Sequence, residues 1–352
     1  MDPRRPTTLA DIARELGITP AAVSKALRGA LDISAETRQR VAEKAREMKY
    51  RVNLTARSLS SRSTRLIGVV VPTVLQSFYG DVLTASTSVL DPRDYQTIIT
   101  CSDEDPETEA RQIDVLLSRQ AEGLLVATCQ SDDRYGVFAR TRDLGVPLVL
   151  FGRNIDPPID SWVGTDNVSI SQTATEHLIN AGRRRIAHVY GPPNSTSTWR
   201  IVGYRKALEA AGLPVYEEYI RGGGENDPIA EQAMRELLQL PEPPDAVFCY
   251  NDAVAAACLR VIVSAGLKTP DDIALVGVGN IRFSDVMLSP LTTINQGSAR
   301  IGEVAAKSLL SYIDTGQEPG IISIPGDLIV RESCGSTHRQ TASSGYAVQA
   351  CG

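Results

Sequence analysis

The chain opens with short segments whose apolar residues recur at helical spacing. Residues 9–16 form one such segment, Thr8 stands where its side chain can cap the first turn, and Gly17 suits the left-handed residue that ends a helix. Thr19 can then cap a second short helix over residues 20–27. Two short helices joined by a three-residue turn predict a helix-turn-helix, whose second helix would lie in the major groove of DNA.

A third helix beginning near Ser34 completes an all-α head, which we assign to residues 1–52. The next segment, residues 53–65, is basic and rich in serine, and its helical pattern is too short to hold a helix alone in water. We therefore expect a hinge that becomes helical only on a partner, with a plain flexible linker as the alternative. Leu59, set among basic residues, suits a wedge that enters a kinked minor groove.

From residue 66 the sequence pattern changes to apolar, strand-like runs that alternate with amphipathic helices. Such alternation predicts parallel sheets covered on both faces, here an α/β body of two doubly wound lobes over residues 66–334. We expect the chain to cross between lobes near Gly164, Pro290 and Asp327, and we expect residues 335–352 to be a disordered tail. In this architecture a ligand binds at the carboxyl ends of the strands, between the lobes.

Charge is distributed unevenly along the chain. Residues 1–65 contain 14 Lys and Arg against 7 Asp and Glu, whereas the remaining residues contain 22 basic and 35 acidic side chains. A basic head on an acidic body indicates that the head meets a polyanion, although a solvated charged surface is the alternative.

Several protein classes find no support in the sequence. No apolar run reaches the roughly 18 residues of a transmembrane helix, and the charged start is not followed by an apolar stretch, so we expect neither a membrane span nor a secretory signal. The six cysteines show no C-x-x-C spacing and there are three histidines, so we expect no metal, no cofactor and no disulfide framework. No Gly-rich phosphate loop or nucleophile elbow follows a strand. We expect a protein that is not an enzyme and that is cytoplasmic, at the nucleoid.

The head closely resembles the lactose-repressor (LacI/GalR) family. The resemblance runs without gaps through TLADIARELGITPAAVSKALRG at residues 8–29 and continues at residues 34–38 and 53–59. It implies a DNA-contacting set of Thr8, Thr19, Pro20, Ala21, Ser24, Lys25, Arg28, Thr37, Asn53, Ala56 and Leu59. Pro20 and Ala21 can make only apolar contacts, which leaves Lys25 as the main polar contact to the bases.

The body is similar to the periplasmic sugar-binding fold of the same family, which implies an effector between the lobes. Arg200 matches the arginine whose fork would grip ligand oxygens, and Asn251 is expected to face the ligand while Asp252 caps the next helix. The full candidate set for the effector is Phe78, Arg153, Thr196, Arg200, Asn251 and Asn280.

Two glycines depart from the family pattern. Gly152 and Gly279 stand where many sugar-binding members carry Asp, while Arg153 and Arg200 remain, so an acidic or phosphorylated sugar becomes a candidate effector. The tail lacks the leucine heptads that make tetramers of some relatives, which favours a homodimer on a near-palindromic operator. The sequence thus predicts a DNA-binding repressor controlled by a small molecule. Control by a protein corepressor, or a solute-binding receptor that does not bind DNA, are the alternatives.

Overall fold

In the computed structural model, the described residues are 7–50, 63–224 and 227–336. Three predicted hinge residues lie outside the described residues: Asn53, Ala56 and Leu59. The tail from residue 337 onward also lies outside them.

The chain divides between Thr64 and Arg65 into two units. Arg65, which we expected at the end of the hinge, belongs to the second unit. Its backbone N–H donates to the Glu122 carboxylate (2.9 Å), and its guanidinium carbon lies 5.1 Å from the centre of the Tyr95 ring.

The first unit consists of three helices: α1 (Leu9–Leu16), α2 (Pro20–Leu27) and α3 (Ala35–Glu47). Thr8 and Asp11 form a reciprocal cap, in which the Asp11 carboxylate accepts the Thr8 backbone N–H at 2.9 Å. Gly17 ends α1 with φ of 65°, and the Thr19 hydroxyl accepts the N–H of Ala22 to begin α2. The turn between the helices is therefore set by residues close together in sequence.

The core of the head is small and apolar. Ile12, Val23 and Val41, one from each helix, are fully buried, and each stabilises the fold by about 1.5–3 kcal/mol. Ala26 is buried beside them, and Leu27 packs partly buried against the same cluster.

The first lobe of the second unit is built on six strands, β1 (Leu66–Val71), β2 (Gln96–Cys101), β3 (Gly123–Val126), β4 (Leu148–Phe151), β5 (Trp162–Gly164) and β11 (Ile321–Ser323). They pair in parallel in the order β11-β5-β4-β3-β1-β2. The helices of this lobe are α4 (Ser77–Leu90), α5 (Pro106–Ser118), α6 (Val137–Asp143) and α11 (Ser298–Thr315).

The second lobe has the strands β6 (Ile186–Tyr190), β7 (Ile220–Gly222), β8 (Ala246–Cys249), β9 (Ala274–Val278), β10 (Thr292–Asn295) and β12 (Asp327–Ile329). Their order is β12-β10-β9-β8-β6-β7, and only the β10–β12 pair is antiparallel. The helices of this lobe are α7 (Asn167–Asn180), α8 (Ser195–Ala210), α9 (Asp227–Leu238) and α10 (Asp252–Ser264). The head and the two lobes confirm the predicted fold class.

The chain passes between the lobes after β5, after β10 and after β11. These strands end at Gly164, Asn295 and Ser323, whereas the crossings were expected near Gly164, Pro290 and Asp327. The run after Pro290 is itself strand β10 of the second lobe, paired with β9 and β12, so the chain leaves that lobe only after Asn295. The first two crossing segments touch each other, since the Thr165 hydroxyl donates to the Gln296 carbonyl at 3.1 Å.

The start of the predicted tail is also ordered. Gly335 ends a short helix, Glu332–Cys334, with φ of 76°, and the Ser336 hydroxyl lies 3.0 Å from the Cys334 sulfur. Backbone and side-chain contacts therefore continue at least to residue 336.

Candidate functional site

The first candidate surface is the outer face of α2. Thr19, Pro20, Ala21, Lys25 and Arg28 are exposed there. A helix that buries one apolar stripe and leaves such a face uncovered can enter a DNA groove.

Other predicted head contacts take part in caps. Ser24 is partly buried, and its carbonyl oxygen accepts from the Arg28 side chain at 3.3 Å. The Thr37 hydroxyl lies 2.9 Å from that of Ser34 at the start of α3. The Thr8 hydroxyl donates to Asp11 at 2.6 Å, so its first role is to begin α1.

The second candidate site is a cavity of about 270 Å³ between the two lobes. It lies where parallel strands end and helices begin, as expected for a doubly wound sheet. Residues at or next to the amino termini of four helices line it: Gln76 and Ser77 (α4), Asn167 (α7), Thr196 (α8), and Asn251 and Asp252 (α10). Each such terminus carries a partial positive charge, so together they favour electron-rich ligand atoms.

Arg200 lies in the wall of this cavity and is 3% exposed. Its Nε donates to Asn167 at 2.9 Å, one terminal nitrogen donates to the Gln296 side chain at 2.9 Å, and the other donates to the Tyr250 carbonyl. Its guanidinium carbon lies 4.6 Å from the centre of the Tyr250 ring. These contacts fix the direction of the guanidinium fork, which is what recognition of a ligand oxygen requires.

Arg153 also lines the cavity, but a carboxylate balances its charge. Both terminal nitrogens donate to Glu104, each at 2.8 Å. Glu104 and its neighbour Asp103 both have positive φ, 60° and 52°. Because this pair is bidentate and buried on the arginine side, Arg153 contributes less positive charge than we expected from the sequence.

The two glycines that depart from the family pattern both line the cavity and both have positive φ. At Gly152 a Cβ would lie 3.0 Å from Cζ of Phe78, so the phenylalanine ring occupies the space a side chain would need. At Gly279, where φ is 134°, a Cβ would meet its neighbours only at ordinary contact distances. Gly152 and the Phe78 ring therefore lie side by side in the cavity wall, and a larger side chain at position 152 would displace the ring.

The helix cap that we predicted for Asp252 is made by Asn251 instead, and both residues line the cavity. The Asn251 side chain caps α10 by accepting the Val254 N–H at 2.9 Å. Asp252 is fully buried and accepts from the Thr293 hydroxyl (2.5 Å), and from the Ile281 N–H (2.9 Å) and Ser284 hydroxyl (2.8 Å). Burial raises the pKa of this carboxyl above its ordinary value, and the three donors partly offset that rise. Asp252 thus holds the loop after β9 in place, and Ile281 of that loop lines the cavity.

Of the six predicted effector residues, the structure brings five to the cavity wall: Phe78, Arg153, Thr196, Arg200 and Asn251. Asn280 is not among the lining residues. Its side-chain oxygen accepts from Arg331 at 2.8 Å and its backbone N–H donates to the Thr293 hydroxyl, so its side chain is engaged by Arg331 instead.

Three residues that hold Arg200 were not among the predicted effector residues: Asn167, Gln296 and Tyr250. The first two lie just after the strands β5 and β10, so a systematic inspection of strand ends would have found them. Tyr250 follows β8 directly.

Metal clusters and membrane-spanning helices are both absent from the described part of the chain. No group of three or more His, Cys, Asp and Glu is placed to hold a metal ion there. Within the same ranges, none of the helices combines the length and apolar character needed to cross a membrane.

Two family profiles match the chain. One, described as periplasmic binding proteins and sugar binding domain of LacI family, matches residues 64–332, and the other, described as bacterial regulatory proteins, lacI family, matches residues 8–53. The matches together cover the head and both lobes.

Individual relatives are similar over nearly their whole length. The HTH-type transcriptional regulator CelR of Thermobifida fusca is 32% identical over 343 residues, 95% of this chain and 100% of that protein. The HTH-type transcriptional repressor PurR of Histophilus somni (strain 129Pt) is 29% identical over 334 residues, 93% and 98% of the two chains. A lac repressor dimer bound to operator and the anti-inducer ONPF superposes with a TM-score of 0.85 at 25% identity, over 94% of this chain and 99% of that one. A CelR–cellobiose complex gives 0.71 at 29% identity, over 94% and 100%. The similarity therefore includes both the head and the ligand-binding body.

Proposed function

Because the chain belongs to the LacI family of bacterial regulatory proteins, we propose that it is a DNA-binding transcriptional repressor whose operator affinity is set by a small molecule. One observation carries this proposal. The same chain combines an exposed recognition helix, α2, with a cavity of about 270 Å³ whose wall holds a fixed arginine. A protein that bound only DNA would not need the cavity, and a solute receptor would not need the head.

The head would bind DNA by inserting α2 into the major groove. Lys25 supplies the polar contact to a base edge, and Pro20 and Ala21 supply apolar contacts. Thr8, Thr19, Ser24, Arg28 and Thr37 would contact the sugar-phosphate backbone. Asn53, Ala56 and Leu59 of the hinge remain proposed contacts that follow from the family resemblance.

The effector would be a small, oxygen-rich molecule. A cavity of about 270 Å³ lies just below the usual range of ligand pockets, which starts at about 300 Å³, so it favours a small ligand. Arg200, Thr196 and the four helix termini favour hydroxyl, carboxylate or phosphate oxygens, and Phe78 offers an apolar face. Cellobiose in the CelR complex supports the same class. We propose a sugar or sugar derivative, acidic and phosphorylated sugars included, with Arg153 less available because Glu104 holds it.

The repressor would act as a homodimer on a near-palindromic site. The lac repressor in the operator complex is a dimer. In this chain Phe283, Val286 and Leu288 are 64%, 73% and 79% exposed within one short segment after β9, so apolar surface is available for a second copy.

We further propose a cytoplasmic location at the nucleoid and no catalytic role. Among the described residues that line the cavity, the charged side chains are Arg153, Arg200 and Asp252, and each is engaged by protein partners. That arrangement supports binding rather than proton transfer.

The test has two stages. The full-length chain is first used to select duplexes from a randomised pool, which should yield a near-palindromic operator. Thermal-shift screening against sugars, sugar acids and sugar phosphates then identifies a ligand, which must change the affinity for that operator. Because binding free energies are coupled, the operator must change the ligand affinity by the same factor. Absence of any selected sequence would refute the function.

The cavity assignment is tested with a variant that preserves volume. Thr196→Val should lower the affinity for the identified effector about tenfold, which is the loss expected for one hydrogen bond. Thr198→Val, on the exposed side of the same helix, is the control and should bind normally. Equal affinities of both variants and the unchanged chain would show that the effector binds elsewhere.

A further inference from the structure

Lys25, the proposed base-contacting side chain of the head, forms an ion pair with Asp32 on the exposed surface. The Lys25 ammonium donates to Oδ2 of Asp32 at 2.6 Å, and the two side chains are 49% and 57% exposed. Asp32 therefore places a negative charge on the face of the head that the proposed function brings to DNA. An acidic group at that place is unfavourable for binding a polyanion, so its presence calls for a physical reason.

The segment that carries Asp32 is held firmly to the head. The N–H of Ala30 donates to the Lys25 carbonyl at 3.1 Å, and the N–H of Ile33 donates to the Ala30 carbonyl at 3.2 Å. Arg38, on α3, donates to the carbonyls of Gly29 and Ala30. Ile33 packs partly buried against the core of the head. Asp32 thus sits on a fixed turn and can fix the position of the lysine that binds it.

The charge states favour the pair. The hydrogen bond from Lys25, with weaker effects of the Lys25 and Arg28 charges, lowers the pKa of the Asp32 carboxyl below its ordinary value. The carboxylate is therefore ionised at neutral pH. In solvent such an exposed pair is weak, but it strengthens when an approaching duplex excludes water.

From these contacts we infer that Asp32 is a specificity-determining, positioning residue, which holds the Lys25 ammonium toward a base edge and keeps it from the phosphates. An ammonium has three donors, so one bond to Asp32 leaves two, the number that can bridge O6 and N7 of a guanine. A free lysine on its four-carbon stem would instead reach phosphates, which are present at every site. The inference rests on the proposed function, in which α2 enters the major groove.

The experiment compares variants of the full-length chain on two duplexes. These are the operator selected by the unchanged chain and a scrambled duplex of the same length, with dissociation constants measured by anisotropy at several salt concentrations. The variants are Asp32→Asn, Asp32→Glu, Lys25→Ala and the double variant Lys25→Ala/Asp32→Asn. Glu43→Gln is the control, because Glu43 is an exposed acidic residue of the same head that bonds only Gln39 among the described contacts.

Asp32→Asn should bind the scrambled duplex more tightly and lower the operator preference about tenfold per half-site, which is the discrimination of one good base contact. Its salt slope on the scrambled duplex should steepen by about one unit per head, because the freed Lys25 neutralises a phosphate. Asp32→Glu should restore most of the preference. In the Lys25→Ala background, Asp32→Asn should leave the preference unchanged, because Asp32 acts through Lys25.

Glu43→Gln should change the dissociation constants for both duplexes by the same factor. If Asp32→Asn does the same, Asp32 is only a general negative charge and the inference is overturned. It is overturned as well if Lys25→Ala keeps the operator preference. Failure of the unchanged chain to prefer any duplex would instead refute the proposed function.

Discussion

Replacing Asp252 with alanine tests how the cavity wall is held. This carboxylate is fully buried at the start of α10 and accepts three hydrogen bonds from residues 281–293. Two of the donors, Ile281 and Ser284, belong to the segment that follows β9. Because Ile281 lines the cavity, the substitution should lower both the stability of the body and the affinity for the effector.

The magnitude follows from the donors that lose an acceptor. Ser284 keeps one, since its hydroxyl also lies 2.8 Å from the Ile281 carbonyl. The Ile281 N–H and the Thr293 hydroxyl lose theirs, and each buried donor without a partner costs about 1–3 kcal/mol. Relief of the buried charge offsets part of this cost, so we expect Asp252→Ala to destabilise the body by about 3 kcal/mol. Asp252→Asn can still accept from Ile281 and Ser284 and should cost about 1 kcal/mol.

Urea unfolding followed by tryptophan fluorescence suits this measurement. Both tryptophans, Trp162 and Trp199, lie in the body, one in each lobe, so the head does not contribute to the signal. Asp245→Ala is the matched control: its carboxylate also accepts backbone N–H groups, those of Arg184 and Arg185, but before β8, away from the cavity. It should lower stability without changing effector affinity, whereas Asp252→Ala should lower both.

The pH dependence provides a second readout. The folded pKa of Asp252 lies above its ordinary value, so the folded state binds the proton more tightly than the unfolded state. The stability from this group is present at pH below the ordinary aspartate pKa and is lost as pH rises through the folded value. Asp252→Asn should remove that part of the dependence. Equal destabilisation by Asp245→Ala and Asp252→Ala, with unchanged effector affinity in both, would refute the role assigned to this carboxylate.

Three further predictions concern DNA binding and assembly. With about eight phosphates neutralised, operator affinity in a filter-binding titration should fall about 10³-fold or more between about 50 and 200 mM salt. An affinity that does not change with salt would mean that the basic head is not the DNA contact. Leu59→Gly should weaken operator binding, because it removes the proposed minor-groove wedge, and should leave effector calorimetry unchanged; loss of both would indicate general misfolding. Leu288→Asp should shift the dimer toward monomer in sedimentation velocity, because it places a charge on the proposed interface. Leu144→Asp, at a comparably exposed position of the other lobe, should not, and identical behaviour of the two would place the interface elsewhere.

The sequence by itself determined the features that depend on near neighbours. The caps of α1 and α2 are made by residues three apart, so Thr8, Gly17 and Thr19 could be assigned from spacing alone. Strands such as β1 and β4 were recognisable because parallel strands covered on both faces are apolar throughout. Five of the six effector candidates, which the family resemblance implied, line the cavity where parallel strands end and helices begin.

Tertiary structure alone decided the contacts between distant residues. Arg200 is held by Asn167, Tyr250 and Gln296, which are 33, 50 and 96 positions away, and Arg153 is balanced by Glu104, 49 positions away. Strand ends point to some of these residues, but no local pattern pairs them with a particular arginine, because they meet only through the order of strands in two sheets and the place where the chain crosses between them. The charge of the cavity therefore could not be judged from Gly152 and Gly279, and depended on which carboxylates the fold brings to each arginine.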